Sequence, residues 1–186
     1  MITKMFPELE EVFAVPQTEH QHFFFPICSV DLSSFNPDWQ ETIHFILFND
    51  DPYNEARVPY FNTICNDRSI GFNVNNGKMT LATDMDFMKV SDKWQQWLNT
   101  TKEQYFSAKE HYNTPDNIID YQKKIQIGGY PRWVQANDTP IDKDGQQLHF
   151  IGAFYTANFV SDFCAKDIYV FYNPKEKTVV QIYQIT

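Results

Sequence analysis

Apolar residues along this chain gather in short runs or alternate with polar ones, and only one stretch repeats them at helical spacing. Residues 22–30 and 42–48 are rich in Phe, Ile and Val and bounded by polar segments, which predicts strands. Pro26 has no N–H to give a ladder, so the first of these is expected at a sheet edge or with a bulge. Residues 70–74 and 78–82 flank Asn75-Asn76-Gly77. Asn-Gly supplies the two positive-φ positions of a type I′ turn, so this segment predicts a hairpin. Residues 148–154, 166–172 and 178–185 predict three further strands, the last two joined through 173–177 as a hairpin with a longer loop.

The helical stretch is different in texture. Trp94, Trp97, Leu98, Thr101, Tyr105, Ala108 and Tyr112 recur at three- and four-residue steps, with Lys93, Gln96, Lys102, Glu103 and Lys109 between them. With Ser91 as N-cap and Asn113-Thr114-Pro115 as the stop, this predicts one long amphipathic helix over about 91–113, its Trp pair part of a core seam. A short helix is expected over 7–13, with Leu9, Val12 and Phe13 on one side. The fold class is therefore α+β, predominantly antiparallel sheet. No repeat, low-complexity tract or linker-like composition interrupts it. At 186 residues, against about 150 per domain, one domain over 1–186 is the first expectation; two tightly packed halves, 1–115 and 116–186, are the alternative.

Composition sharpens this in two ways. Aromatics make up 17% of the residues, ample apolar surface for a core. The formal net charge is −9, which excludes a general nucleic-acid backbone binder. The charge is also uneven, because residues 1–48 hold seven acids and one base. Such asymmetry steers a basic partner toward one face. Glu8, Glu10, Glu11, Glu19, Asp50, Asp51 and Glu55 are the candidate acidic interaction surface. The opening residues turn acidic before any apolar leader forms, and no run of about 18 apolar residues occurs. The expected location is therefore a cytoplasm, with no membrane span. Cys28, Cys65 and Cys164, odd in number and widely spaced, read as buried thiols.

Motifs for chemistry are largely excluded. No phosphate loop, dinucleotide fingerprint or Gly-x-Ser-x-Gly elbow is present. His20 and His22 would share one face of a strand, yet nothing nearby completes a metal set. The Asp142-Lys-Asp144-Gly145 stretch fails the calcium-loop register and reads as a turn, as do Asp138 and the Asp50-Asp51 pair. No cofactor, no metal and no catalytic residue is expected.

One segment remains, Ile127-Gly-Gly-Tyr-Pro-Arg-Trp-Val-Gln135. Gly128 and Gly129 permit unusual backbone angles, Pro131 fixes the following turn, and an extended chain would put Trp133 and Gln135 on one face. The physical reading is a turn that plugs its Trp into a core while Gln hydrogen-bonds backbone. After it come Gly145, Leu148-His-Phe-Ile151 and Ile168-Tyr-Val-Phe171. This succession over residues 124–186 resembles the YwqG-like family of bacterial proteins. A similar Gly-Gly-x-Pro-x-Trp turn occurs in programmed-cell-death-2 type proteins. Some relatives carry cysteines just before the Gly-then-strand element; residues 140–145 here carry none. The resemblance implies an α+β domain with antiparallel sheets and related halves, and no established catalytic residues.

Gly128, Gly129, Tyr130, Pro131, Trp133 and Gln135 thus stand as a binding motif or a structural signature. The leading expectation is a non-enzymatic protein-binding module with a basic partner, in one version an immunity-type protein neutralising a basic toxin. The alternative is a small-molecule binder or enzyme with an aromatic pocket around Tyr130 and Trp133, with His149 nearby in sequence.

Overall fold

The computed structural model describes residues 1–15, 19–51, 53–114, 119–161 and 165–185. Its 34% strand and 26% helix, with every sheet pairing antiparallel, make it an α+β fold. In chain order the elements are β1 (Ile2–Met5), α1 (Leu9–Val12), α2 (His20–Phe23), β2 (Phe24–Asp31), β3 (Thr42–Phe48), β4 (Ser69–Asn75) and β5 (Lys78–Leu81). Then follow α3 (Gln95–Tyr112), β6 (Ile125–Ile127), β7 (His149–Tyr155), β8 (Lys166–Asn173) and β9 (Thr178–Ile185). Single 3₁₀ turns connect several of them.

Two sheets form. One has the order β1-β2-β3, the other β5-β4-β9-β8-β7-β6. Because β4 pairs with β9, strands from both sides of residue 115 share the larger sheet. Asn76 and Gly77 have φ of 50° and 71°, the two positive angles expected for the β4–β5 hairpin. Pro26 does not mark an edge, because β2 is the central strand of its sheet. The alternative, a bulge, is what occurs: the register with β3 shifts between Pro26 and Cys28, which lets a residue without an N–H sit mid-sheet.

β2 is buried almost throughout because both its faces are covered. Phe24 meets Phe72 of β4 with ring centroids 5.7 Å apart, while Phe25 meets Tyr105 of α3 at 5.3 Å. Tyr105 also donates its hydroxyl to the Pro26 carbonyl at 2.8 Å, using an acceptor next to the bulge. Leu98, Thr101, Tyr105 and Ala108 form the buried stripe of α3, four of the seven positions the periodicity placed there. Trp94, Trp97 and Tyr112 are only half-buried, so the Trp pair sits at the margin of the core. The helix starts later than residue 91, however, since both the N–H and the hydroxyl of Ser91 donate to Asp51, at 3.0 and 2.6 Å. Ser91 is therefore unavailable as a cap. Trp94 is half-buried, and its indole donates to Asn49 at 3.3 Å.

The larger sheet is covered on both faces too. Its inner face joins the main core through Phe72, Ile151, Val170 and Val179. Its outer face carries a second apolar cluster, with Tyr169, Phe171, Val180 and Ile182 buried and Trp133 packed against them. Gln181 of β9 ties the sheets together: its carbonyl accepts from the Ile46 N–H at 2.8 Å and its amide donates to the Ile46 carbonyl at 2.7 Å. A side-chain amide thus satisfies the backbone groups on the free side of β3.

Candidate functional site

The Gly-Gly turn leaves β6 at Ile127 and lays the chain over the outer face of the larger sheet. Gly128 and Gly129 both take positive φ, 70° and 76°, which an L side chain adopts only with strain. The Gln126 amide staples the turn by donating to the carbonyls of Gly128 and Tyr130 at 3.0 and 2.9 Å. Beyond it, Gln184 of β9 accepts from the N–H groups of Val134 and Gln135 and donates to the Ala136 carbonyl at 2.6 Å. Gln135 returns a bond to the Ile185 carbonyl at 2.9 Å, so the expected Gln-to-backbone contact is present. Trp133 lies parallel to Phe171, 13° between planes, and 4.4 Å from Tyr169 centroid to centroid. Its core is the outer cluster, and it stays half-buried.

This fixed strap forms one wall of an open cleft of about 670 Å³. Tyr130, 87% exposed, and Trp133 stand on that wall, facing His149 and Phe150 of β7. Phe35 and Trp39, from the connection between β2 and β3, complete the aromatic lining. Trp39 packs 4.7 Å from His149 and 5.5 Å from Tyr172, centroid to centroid, so it is held from beneath. The polar lining is Asn137, Thr139, Gln147 and His149, and no Asp, Glu, Lys or Arg is among the described lining residues. Asn137 spends its carbonyl on the N–H and hydroxyl of Thr139, at 3.0 and 2.7 Å. The remaining polar groups point to no described partner: the Asn137 amide N–H, the Gln147 side chain, the indole N–H of Trp39 and Trp133, and the Tyr130 hydroxyl. The binding-motif residues Gly129, Tyr130, Pro131 and Trp133 all line this cleft, whereas Gly128 and Gln135 shape the strap.

The acidic surface is only partly where the sequence placed it. Asp50 and Asp51, expected in an exposed turn, are 1% and 3% exposed. Asp50 accepts from Arg57 at 2.8 Å, Lys166 at 2.6 Å and the Tyr183 hydroxyl at 3.0 Å. Burial alone would drive its carboxyl up, but Lys166 and Arg57 outweigh that and hold it below the ordinary carboxylate value. The spare positive charge meets aromatic faces, with Lys166 4.6 Å from the Tyr183 centroid and Arg57 4.4 Å from that of Phe87. Asp51 is consumed by Ser91 and the Tyr53 N–H. These contacts turn the loop inward, against the expectation from its Asp, Asn and Pro content. Glu8 and Glu11 are exposed but paired with Lys109 and Lys4, at 2.8 and 2.6 Å. Glu10, Glu19 and Glu55 are exposed and form no ion pair with a described residue. Glu19, Asp84 and Asp86 border a second cleft of about 590 Å³ over Met79 and Met85.

Other candidates resolve simply. His20 lies in a helical turn, not a strand, with its ring 4.5 Å from Phe13, and His22 is exposed, so the two do not share a strand face. Among the described residues no group of three His, Cys, Asp or Glu is placed to hold a metal ion. Burial raises the Cys28 thiol and pushes that of Cys65 up to about 11, which keeps both protonated and unreactive. Cys164 lies outside the described residues. Asp142 accepts from the N–H groups of Asp144 and Gln146 and pairs with Lys175, the contacts of a turn. Among the described residues no helix is long and apolar enough to cross a membrane.

No family model, curated protein or solved structure matches this chain.

Proposed function

We propose that this chain is a non-enzymatic binding protein whose working surface is the neutral aromatic cleft beside the Gly-Gly turn. One observation carries the reading: half-buried aromatic rings and polar groups without described partners converge on a concavity of about 670 Å³ that no Asp, Glu, Lys or Arg lines among the described residues. Its volume falls in the range typical of small-molecule sites, roughly 300–1,000 Å³. Both described thiols are buried with raised pKa, and the Ser29 hydroxyl that meets His44 is buried and does not line the cleft, which fits binding better than catalysis there. Those two free buried thiols also support placing the protein in a reducing cytoplasm. Screening a small-molecule library by thermal shift tests the reading. Hits that stabilise the parent chain but not Trp39→Ala are expected, and a library that shifts neither would sink it.

A second reading, an acidic protein that captures a basic partner such as a toxin, is favoured by the second cleft, with Glu19 and Asp84 over a methionine floor. Affinity capture at low and high salt tests it. One stoichiometric basic partner released by salt is the expected result, and retention indifferent to salt would count against it.

A further inference from the structure

Resting on that reading of the cleft, we propose that its ligand is a neutral saccharide, one ring stacked on Trp39 or Trp133 and its hydroxyls held by the amide and indole groups of the rim. The chain is 21% charged, yet no charged side chain is among the described residues that line the cleft. A nucleotide or phosphorylated ligand would find no Lys or Arg there, and a basic peptide no carboxylate. A wholly apolar ligand fails for the opposite reason. It would bury the Asn137 amide, the Gln147 side chain and two indole N–H groups without partners, each at a desolvation penalty.

A sugar ring satisfies both demands at once. Its C–H face is apolar and packs on an aromatic face, while its edge carries hydroxyls that donate and accept without charge. Trp133 is suited to this, because its inner face is spent on Phe171 and Tyr169 and the ring remains half-buried. Trp39 is braced by tilted contacts, with Tyr172 at 64° and His149 at 59° between planes. Gln147 is exposed and Asn137 keeps both amide hydrogens free, so the polar edge needs no side chain to be released first. Gln126 and Gln184 hold the strap rigid, which lowers the ordering cost of binding.

The test follows the indole N–H resonances of the four tryptophans while cellobiose, maltose and N,N′-diacetylchitobiose are titrated separately to millimolar concentration. Trp94 and Trp97 do not line the cleft and serve as internal controls. The expected result is a saturable shift confined to Trp39 and Trp133 with at least one of the sugars. Trp39→Ala should then weaken binding at least about tenfold and Gln147→Ala about fivefold. Gln147 is a surface side chain, so its variant keeps the test alive should Trp39→Ala fold poorly. A proline-rich peptide and a panel of uncharged aromatic heterocycles are titrated in parallel. If either moves the same two indoles while all three sugars leave them still, the saccharide assignment is overturned and the cleft stands. If none of the probes moves them, both fall.

Discussion

Two polar regions of this molecule differ in a way that runs against intuition: the buried one is built on charges, and the open aromatic cleft has no Asp, Glu, Lys or Arg in its described lining. Between the sheets, Asp50 faces Arg57, Lys166 and Tyr183 with almost no solvent. On the outer face, the aromatic cleft is open to water and lined by described residues that include no Asp, Glu, Lys or Arg. What separates a fastening from a site is whether the groups are spent. Both Asp50 oxygens are taken by cations from other elements, so the carboxylate is spent, although Arg57 Nε stays buried without a partner among the described residues. The rim of the cleft holds donors that no described residue accepts. A charged group that is fully paired supports the fold; a neutral one left unpaired beside aromatic faces invites a ligand.

The strongest way to break the comparison is to remove the carboxylate. Asp50→Ala leaves two buried cations facing each other, and the expected loss is about 3–5 kcal/mol of unfolding free energy, read from urea denaturation. Lys166→Met should cost less, because Arg57 still pairs with Oδ2 of Asp50 and only Oδ1 loses its partner. A loss under about 1 kcal/mol for Asp50→Ala would mean that the cluster does not fasten the sheets.

Acid should test the buried polar groups, His44 first and the Asp50 cluster after it, without mutation. His44 is buried, and since the Gly77 carbonyl can only accept, Nε2 carries the proton and Nδ1 accepts from the Ser29 hydroxyl, at 3.0 and 2.9 Å. Burial lowers its pKa from the ordinary 6.5, so the unfolded chain takes a proton first and stability falls as pH drops below that value. Asp50, also held below its ordinary 3.8, contributes stability that is present above that value and lost as pH falls through the folded one. Denaturation midpoints across pH 7 to 3 should therefore decline in two stages. In Asp50→Ala the lower stage should shrink while the upper one stays; an unchanged lower stage would assign it to other carboxylates such as Glu41, which Lys177 lowers too.

A smaller effect separates the neutral fastening from the charged one. Gln181→Leu fills much the same volume but strands the N–H and carbonyl of Ile46, at an expected cost of about 2–3 kcal/mol. Because Gln181 and Asp50 bridge different points of β3 and its exit, the two losses should add within about 0.5 kcal/mol. A larger coupling would show that the sheets are held by one network.

How much of this the sequence disclosed depends on the range over which the signal acts. The type I′ turn at Asn76-Gly77 and the stripe Leu98, Thr101, Tyr105 and Ala108 were legible because their causes lie within a few residues. Asp50 and Asp51 misled for the same reason. Locally they look like a turn, and what draws them inward is Lys166, 116 residues away, and Ser91, 40 away. A lysine heading the apolar run Ile168–Tyr172 was the available hint, since such a strand end rarely buries an unpaired ammonium. Half of the cleft was legible in the Gly-Gly-Tyr-Pro-Arg-Trp turn. The other half, Phe35 and Trp39, sits in a segment without motif or periodicity, and only the packing of the sheets brings it to His149.

The smallest expected effect sharpens the comparison most. Gln147→Ala removes an exposed amide with no described partner, so its unfolding free energy should stay within about 0.5 kcal/mol of the parent. That near-silence is the signature of a group kept for something other than the fold. In the same preparation, stabilisation of the parent chain by a cleft ligand should be measurably reduced, because ligand-induced stabilisation follows the dissociation constant logarithmically. A fivefold weaker affinity removes about 1 kcal/mol of it when the ligand is in excess. Asp50→Ala must show the reverse pattern, with large intrinsic destabilisation and an unchanged increment from ligand. If instead Gln147→Ala proves as destabilising as Gln181→Leu, its amide is a structural tie, and the contrast between spent interior charges and unspent surface amides loses its footing.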